Sequence, residues 1–353
     1  MHVDYVRGAL SPTLAAEVDA FAASAACPHY MQATGWHDVA SHASDGGQLD
    51  VRYLLARASP HGPLRGVARL LRRRRGVLPS PSAVIERGPV VATLDDLTPV
   101  AAAMLRAARW HGVDRLRVQP YLAGDDSDRA ARALEAAGFE RSAAFTGPHT
   151  ATLRIALAGV ARADIFAGSE RSDLRRHARK AREAGVVVRR GDARDLVQLA
   201  TLYAQMMAGQ GGSDHPPAYF AALGPLLARE QAALLVAEHD GALEASVVVC
   251  RHARQVTFHL GATSATRRPY KKMLLPLMAA AEWAHDVGAE VFDLGGVPRP
   301  EDDDPKRRAI AQFKFDFART PVPITPVMFA RPTAIGEAAR WLAARARGLR
   351  RGG

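Results

Sequence analysis

Residues 281–292 read Ala281-Glu-Trp-Ala-His-Asp-Val-Gly-Ala-Glu-Val-Phe292, and residues 107–118 read Ala107-Ala-Arg-Trp-His-Gly-Val-Asp-Arg-Leu-Arg-Val118. Each is an alanine-rich stretch carrying Trp and His that meets a glycine and gives way to alternating apolar residues. The pattern predicts a helix that stops at Gly288 or Gly112, followed by a strand. The same step at corresponding places in the two halves points to an internal duplication. The length of 353 residues leaves room for two domains of ordinary size.

Outward from 281–292, the second half reads as a strand at 186–188, a helix at 193–207, a Gly-rich loop at 209–213 and a helix near 217–229. Strands at 233–238, 245–251 and 255–261 follow, the first two joined by an Asp240-Gly241 hairpin turn. A helix at 270–287, a strand at 290–294 ending in Gly295-Gly296, a helix at 307–318 and a strand at 322–329 complete it. The first half repeats that order: strand 3–6, helices 12–23 and 31–41, strands 51–57, 64–72 and 83–91, helix 94–110, strand 116–119, helix 127–137 and a strand after Gly138. The succession β-α-α-β-β-β-α-β-α-β resembles the topology of the GNAT acyltransferase fold. The expected architecture is therefore α/β with mixed sheets, in two tandem GNAT-like domains. Residues 1–147 form the first and 148–330 the second, with a break at Gly147-Pro148 and a basic helix or tail over 331–353.

Composition narrows the class. With 48% hydrophobic and 24% charged residues, a mainly disordered chain is excluded. The net charge is +11, yet only five basic residues are lysines (Lys180, Lys271, Lys272, Lys306, Lys314), and the tail from Arg331 holds six arginines against Glu337. Two cysteines, Cys27 and Cys250, provide neither a disulfide framework nor a cysteine zinc site, which fits a cytoplasmic protein. No signal peptide or membrane span is expected, since the apolar run 273–281 is short and interrupted by Pro276. The histidines lack metal spacing and no Gly-x-Ser-x-Gly elbow is present, so no metal is expected.

A GNAT-like order raises acyl-CoA as cofactor. Its pyrophosphate is held where small residues open the helix after the fourth strand to backbone N–H groups. Here that junction reads Thr266-Arg-Arg-Pro-Tyr-Lys-Lys-Met273, without a glycine, and the first half has Val91-Ala-Thr-Leu-Asp-Asp96. CoA is disfavoured in both.

Five segments carry a closer likeness: Ile85-Glu-Arg-Gly-Pro-Val90, Thr150-Ala-Thr-Leu-Arg-Ile155, the helix from Arg171 to Val186, Phe292-Asp-Leu-Gly-Gly296 and Ile310-Ala-Gln-Phe-Lys-Phe315. Together they resemble the FemABX family over about residues 28–329. That family consists of aminoacyl-tRNA-dependent peptidyltransferases that build peptidoglycan cross-bridges on two tandem GNAT-like domains. The resemblance implies transfer of an amino acid from charged tRNA, as co-substrate, to an amine of a UDP-linked or lipid-linked muropeptide or another acceptor. A lipid-linked acceptor would bring peripheral contact with the membrane surface. The long helical arm of some members has no room here, so the arm-less form is implied. An acyl-CoA N-acyltransferase and a non-catalytic, basic nucleic-acid-binding protein are the competing classes.

In the family the lysine matching Lys314 is implicated in catalysis, and Phe315 is carried with it. By spacing alone Lys314 lies beside a stripe of Ile310, Phe313 and Phe317, where a lysine ordinarily snorkels. An ammonium there could stabilise the oxyanion or leaving alkoxide of ester aminolysis. The acid many members carry after Gly-Pro-Val is displaced or missing, with Ala92 near its place; Asp95 and Asp96 suit a helix N-terminus. At about 100° per residue, Arg171, Arg175, Arg179 and Arg182 share one face, opposite Leu174, His177, Ala178, Ala181 and Ala184. That face is either a solvated ridge or a contact for the phosphates of tRNA or of the acceptor. Tyr270, Lys271 and Lys272 either hold a phosphorylated acceptor or end a loop. Asp293 either supports a turn at Gly295-Gly296 or meets the substrate amine. Trp36 and Arg87 either line an acceptor cleft of the first domain or serve packing and a strand end.

Overall fold

The computed structural model describes residues 1–43, 49–75, 78–141, 150–168, 171–298, 305–331, 333–336 and 338. The Gly147-Pro148 break, the acidic loop 301–304 and most of the tail lie outside them. In chain order the elements are β1 (His2–Arg7), α1 (Pro12–Ser24), α2 (His37–Ser41), β2 (Leu49–Arg57), β3 (Leu64–Arg75), β4 (Leu78–Ile85), β5 (Val90–Val91), α3 (Leu97–Trp110), β6 (Arg115–Val118), α4 (Asp125–Ala136) and β7 (Phe139–Arg141). They continue as β8 (Ala151–Ala156), α5 (Ser172–Glu183), β9 (Val187–Arg190), α6 (Asp195–Gln210), α7 (Pro217–Ala221), α8 (Gly224–Ala228), β10 (Ala232–His239), β11 (Ala242–His252) and β12 (Gln255–Thr263). The last are α9 (Leu274–Asp286), β13 (Val291–Val297), α10 (Pro305–Phe315), β14 (Pro321–Pro323) and β15 (Met328–Ala330).

The duplicated segments behave alike. After α3, Gly112 has φ 74°, and Val113 N–H reaches back to Ala108 O at 2.9 Å; after α9, Gly288 has φ 74°, and Ala289 N–H reaches Ala284 O at 2.9 Å. Each glycine supplies the left-handed turn that ends a helix and aims the chain into a strand. In both cases that strand joins its sheet parallel to its neighbour, β6 beside β4 and β13 beside β12. The Asp240-Gly241 turn has φ 52° and 74°, the pair of positive values a tight hairpin requires.

Two compact units result: residues 1–34, 47–147 and 325–353, and residues 35–46 and 148–324. The first has the sheet order β1-β2-β3-β4-β6-β15-β7, with β5 on β3; the second runs β14-β8-β13-β12-β11-β10-β9. Position by position the sheets correspond, with one exchange. β15, from the chain's end, occupies in the first sheet the place that β8, from its middle, occupies in the second. Each unit has its own apolar core, centred on Leu54, Leu70, Met104 and Leu116 in the first and on Val247, Leu274, Phe292 and Phe317 in the second.

Several expected elements are interrupted. The strand over 322–329 is two: Ile324 N–H bonds Thr150 O in the second unit, while Thr325 N–H bonds Leu122 O in the first. The helix over 217–229 breaks ahead of Pro225, which lies in the first turn of α8 and lacks an N–H. The strand over 83–91 turns at Arg87, whose φ is 53°. Residues 31–41 form two 3-10 turns, Tyr30–Gln32 and Thr34–Trp36, before the short α2.

Candidate active site

Lys314 departs from the snorkelling arrangement. Its residue is 9% exposed, while Ile310, expected in the apolar stripe, is 54% exposed. Phe317 is fully buried and Phe313 packs against the core, so α10 turns Lys314 inward with them. The ammonium donates to the carbonyl oxygen of Gly296 at 2.9 Å and stands 5.6 Å from the centre of the Phe258 ring. Burial pushes the Lys314 pKa down to about 8, while the Asp293 carboxylate pulls in the opposite direction.

Asp293 shapes the turn that presents this carbonyl. Fully buried on β13, it accepts from Thr152 Oγ1 at 2.5 Å and from the Gly295 N–H at 2.8 Å through one oxygen, and from Arg154 Nε at 3.0 Å through the other. The register with β8 slips between Asp293 and Gly296, and Gly295 has φ 76°. A Cβ at Gly295 would stand 3.6 Å from the Lys314 ammonium in a backbone conformation that only glycine adopts freely. Among the two readings of Asp293, the turn is what the geometry displays. Thr152 and Arg154 were missed as partners, although their alternation with Leu153 and Ile155 marks them as one face of a strand.

Other candidates are engaged elsewhere. Phe315 lines a cavity of about 330 Å³ together with Thr150, Pro298, Arg308 and Gln312. Tyr270 is buried in the core ahead of α9 rather than opening it. Lys271 pairs with Asp316 at 2.5 Å, and Lys272 donates to Ser264 O at 2.7 Å and stands 3.5 Å from Glu244. Burial pushes the Glu244 carboxyl up, but Arg268, Ser264 and Lys272 together outweigh it and leave the group below its usual range. On the arginine ridge, Arg171 caps α5 and bonds Ile165 O, while Arg175 donates to the carbonyls of Phe166, Ala167 and Gly168 at 2.7, 2.9 and 2.7 Å. These two fasten a loop, whereas Arg179 and Arg182 stay exposed.

The two residues expected in an acceptor cleft of the first domain are assigned to different units. Arg87 belongs to the first unit, donating to Gln119 at 3.1 Å above the Tyr121 ring. Trp36 belongs to the second, buried edge-on against His259 at 4.8 Å. His259 also bonds the Tyr219 hydroxyl, and burial pushes its pKa down to about 3, leaving it neutral. No sequence spacing signals this cluster, because its members come from separate elements. Asp96 closes a capping box with Thr93, the helix-start role expected for it. Burial pushes the Cys27 thiol up to about 11 and the Cys250 thiol higher, so neither is activated.

Residues 168–309, within the second unit, match the Acetyltransferase (GNAT) domain family. No curated protein matches the chain by sequence. Among solved structures, the crystal structure of FemX aligns with a TM-score of 0.73 at 17% identity, over 94% of this chain and 97% of that one. The fold is FemX-like. The likeness extends to the structure of L-PGS from Bacillus licheniformis (TM-score 0.59, 13% identity, 96% and 97% covered). It extends also to a tandem GNAT protein from the clavulanic acid biosynthesis pathway (TM-score 0.54, 14% identity, 94% and 100% covered). No helix among the described residues is long and apolar enough to cross a membrane.

Proposed function

We propose that the protein is an aminoacyltransferase that moves an amino acid from aminoacyl-tRNA to a primary amine of a peptidoglycan-precursor stem peptide or a similar acceptor, in the cytoplasm. The observation that carries this reading is Lys314, a buried ammonium fixed by one hydrogen bond in a FemX-like fold. One of its three N–H groups serves Gly296, which leaves two for substrate. In the reaction the acceptor nitrogen attacks the ester carbonyl carbon, the new C–N bond forms, and the C–O bond to the tRNA ribose breaks. Lys314 holds the developing oxyanion, and with its pKa pushed to about 8 it is also a stronger acid than an ordinary lysine for protonating the departing 3′ oxygen. The acceptor amine loses a proton in the same cycle, so no net proton is consumed.

The GNAT-family match favours a second reading, an acyl-CoA N-acyltransferase. Against it stands the β12–α9 junction, which has no glycine and whose Arg268 and Lys272 are engaged by Glu244. Incubation with a pool of aminoacyl-tRNAs or with acetyl-CoA, against a UDP-muropeptide and a panel of small amines, separates the two by mass spectrometry. An aminoacyl increment on an acceptor supports the first, an acetyl increment replaces it with the second, and no increment on any acceptor overturns both.

A further inference from the structure

Arg69 lies on β3, in the first unit, between Ala68 and Leu70, which belong to the apolar core. Alternation along the strand turns it to the opposite face, where its cross-strand neighbour on β2 is Tyr53. The residue is 1% exposed, and among the described residues its Nε, Nη1 and Nη2 have no hydrogen-bond partner. Arg72, buried on the same strand, shows the ordinary solution: it donates to the carbonyls of Ser80, His111 and Gly112. Burial pushes the Arg69 pKa down to about 10, against the pull of Tyr53, Glu86 and Tyr30. A guanidinium kept from water is strongly destabilising unless something accepts its N–H groups.

The backbone beside it is held apart. The β3–β4 register, with Leu71 opposite Val84, would set Arg69 opposite Glu86 if it continued by two residues. Instead the side chain of Gln32 is inserted: Arg69 N–H donates to its Oε1 at 2.7 Å, and its Nε2 donates to Glu86 O. Gln32 is fully buried, and a Cβ on Gly88 would stand 2.9 Å from its amide, so glycine makes room for the wedge. The chain rejoins β3 at β5, with Val90 opposite Val67. Glu86 is half-buried and acts on Arg69 electrostatically without bonding to it.

We propose that Arg69 and Glu86 bind a free α-amino acid, the guanidinium taking its carboxylate and the Glu86 carboxylate its ammonium. The guanidinium fork matches a carboxylate with two parallel hydrogen bonds. Glu86 repels a plain anion and Arg69 repels a plain cation, whereas a molecule with both charges on neighbouring groups neutralises the two together. Tyr30 and Tyr53, both buried, keep water from the Arg69 side. The site uses no residue of the transfer reaction proposed above and does not depend on it.

The test is the thermal unfolding of the full chain with each of the protein amino acids in turn, at neutral pH and constant ionic strength, beside propionate and ethylamine, which carry one charge each. At least one amino acid should raise the melting temperature saturably while propionate and ethylamine do not, and in Arg69→Met its affinity should fall about tenfold or more. Arg69→Met removes a buried, unpartnered charge, so the ligand-free variant should melt no lower than the natural protein, which separates lost binding from lost fold. Glu86→Gln should weaken amino-acid binding and let propionate bind. No shift with any amino acid, or an equal shift in Arg69→Met, overturns the proposal, and so does propionate acting on the natural protein as strongly as any amino acid. No shift, together with Arg69→Met and Glu86→Gln each destabilising and non-additive when combined, replaces it with an internal ion pair.

Discussion

The ammonium of Lys314 is held 2.9 Å from the carbonyl oxygen of Gly296, and the turn that carries this carbonyl is closed by Asp293 on the N–H of Gly295. A charge is thus kept inside the protein by one backbone acceptor, with its remaining donors uncommitted to Gly296. If those donors stabilise the transition state, Lys314→Ala lowers turnover by on the order of 10² or more with little change in acceptor KM. The ammonium form is present below its pKa of about 8, so kcat falls as pH rises through that value. A pH–rate profile flat to pH 10 contradicts the role.

The same burial makes Lys314 a cost to stability. Its folded pKa lies below the ordinary 10.5, so the penalty is fully present below pH 8 and disappears as pH rises through 10.5. Over that window the natural protein gains up to about 3 kcal/mol. Lys314→Met removes the charge but leaves the Gly296 carbonyl unpaired, which costs about 1–3 kcal/mol. The expected signature is therefore in the slope: the melting temperature of Lys314→Met relative to the natural protein is highest near pH 7 and declines towards pH 10.5.

Asp293 is placed to act through Lys314, whose pKa its carboxylate raises. Asp293→Asn removes the charge that raises the lysine's pKa and weakens a buried pair with Arg154. It should destabilise the protein by about 3 kcal/mol and move the alkaline limb of the activity profile below that of the natural enzyme. A limb that stays in place shows that the carboxylate serves the turn alone.

The arginine face divides into two kinds of residue. Arg175→Ala releases three carbonyls of the 166–168 loop and should cost about 1–2 kcal/mol of stability, leaving the salt dependence of tRNA binding unchanged. Arg179→Glu/Arg182→Glu should leave stability nearly intact, yet weaken tRNA binding and flatten its slope against salt by about one unit per lost phosphate contact. Filter binding at several salt concentrations distinguishes them.

Much of this was legible from spacing. Gly112 and Gly288 mark two equivalent helix ends because left-handed turns select glycine locally, and Lys314 stands out by its match to the family's lysine and as one of only five lysines. What escaped notice depends on long-range pairing. An antiparallel strand such as 328–330 has the same alternation whichever sheet receives it, so its partners are invisible until the fold is closed. Trp36 meets His259 across more than two hundred positions, and a ridge arginine looks the same whether it faces water or, like Arg175, a loop's carbonyls.

The exchange of β8 and β15 also sets an order in time. Roughly 190 residues separate β7 from β15, and translation at about 5–20 residues per second places tens of seconds between them. Until β15 is synthesised, β6 and β7 are edges around an unfilled position. The first unit begins before the second and closes after it, so a stop codon before Met328 is a lesion of the sheet that opens the sequence.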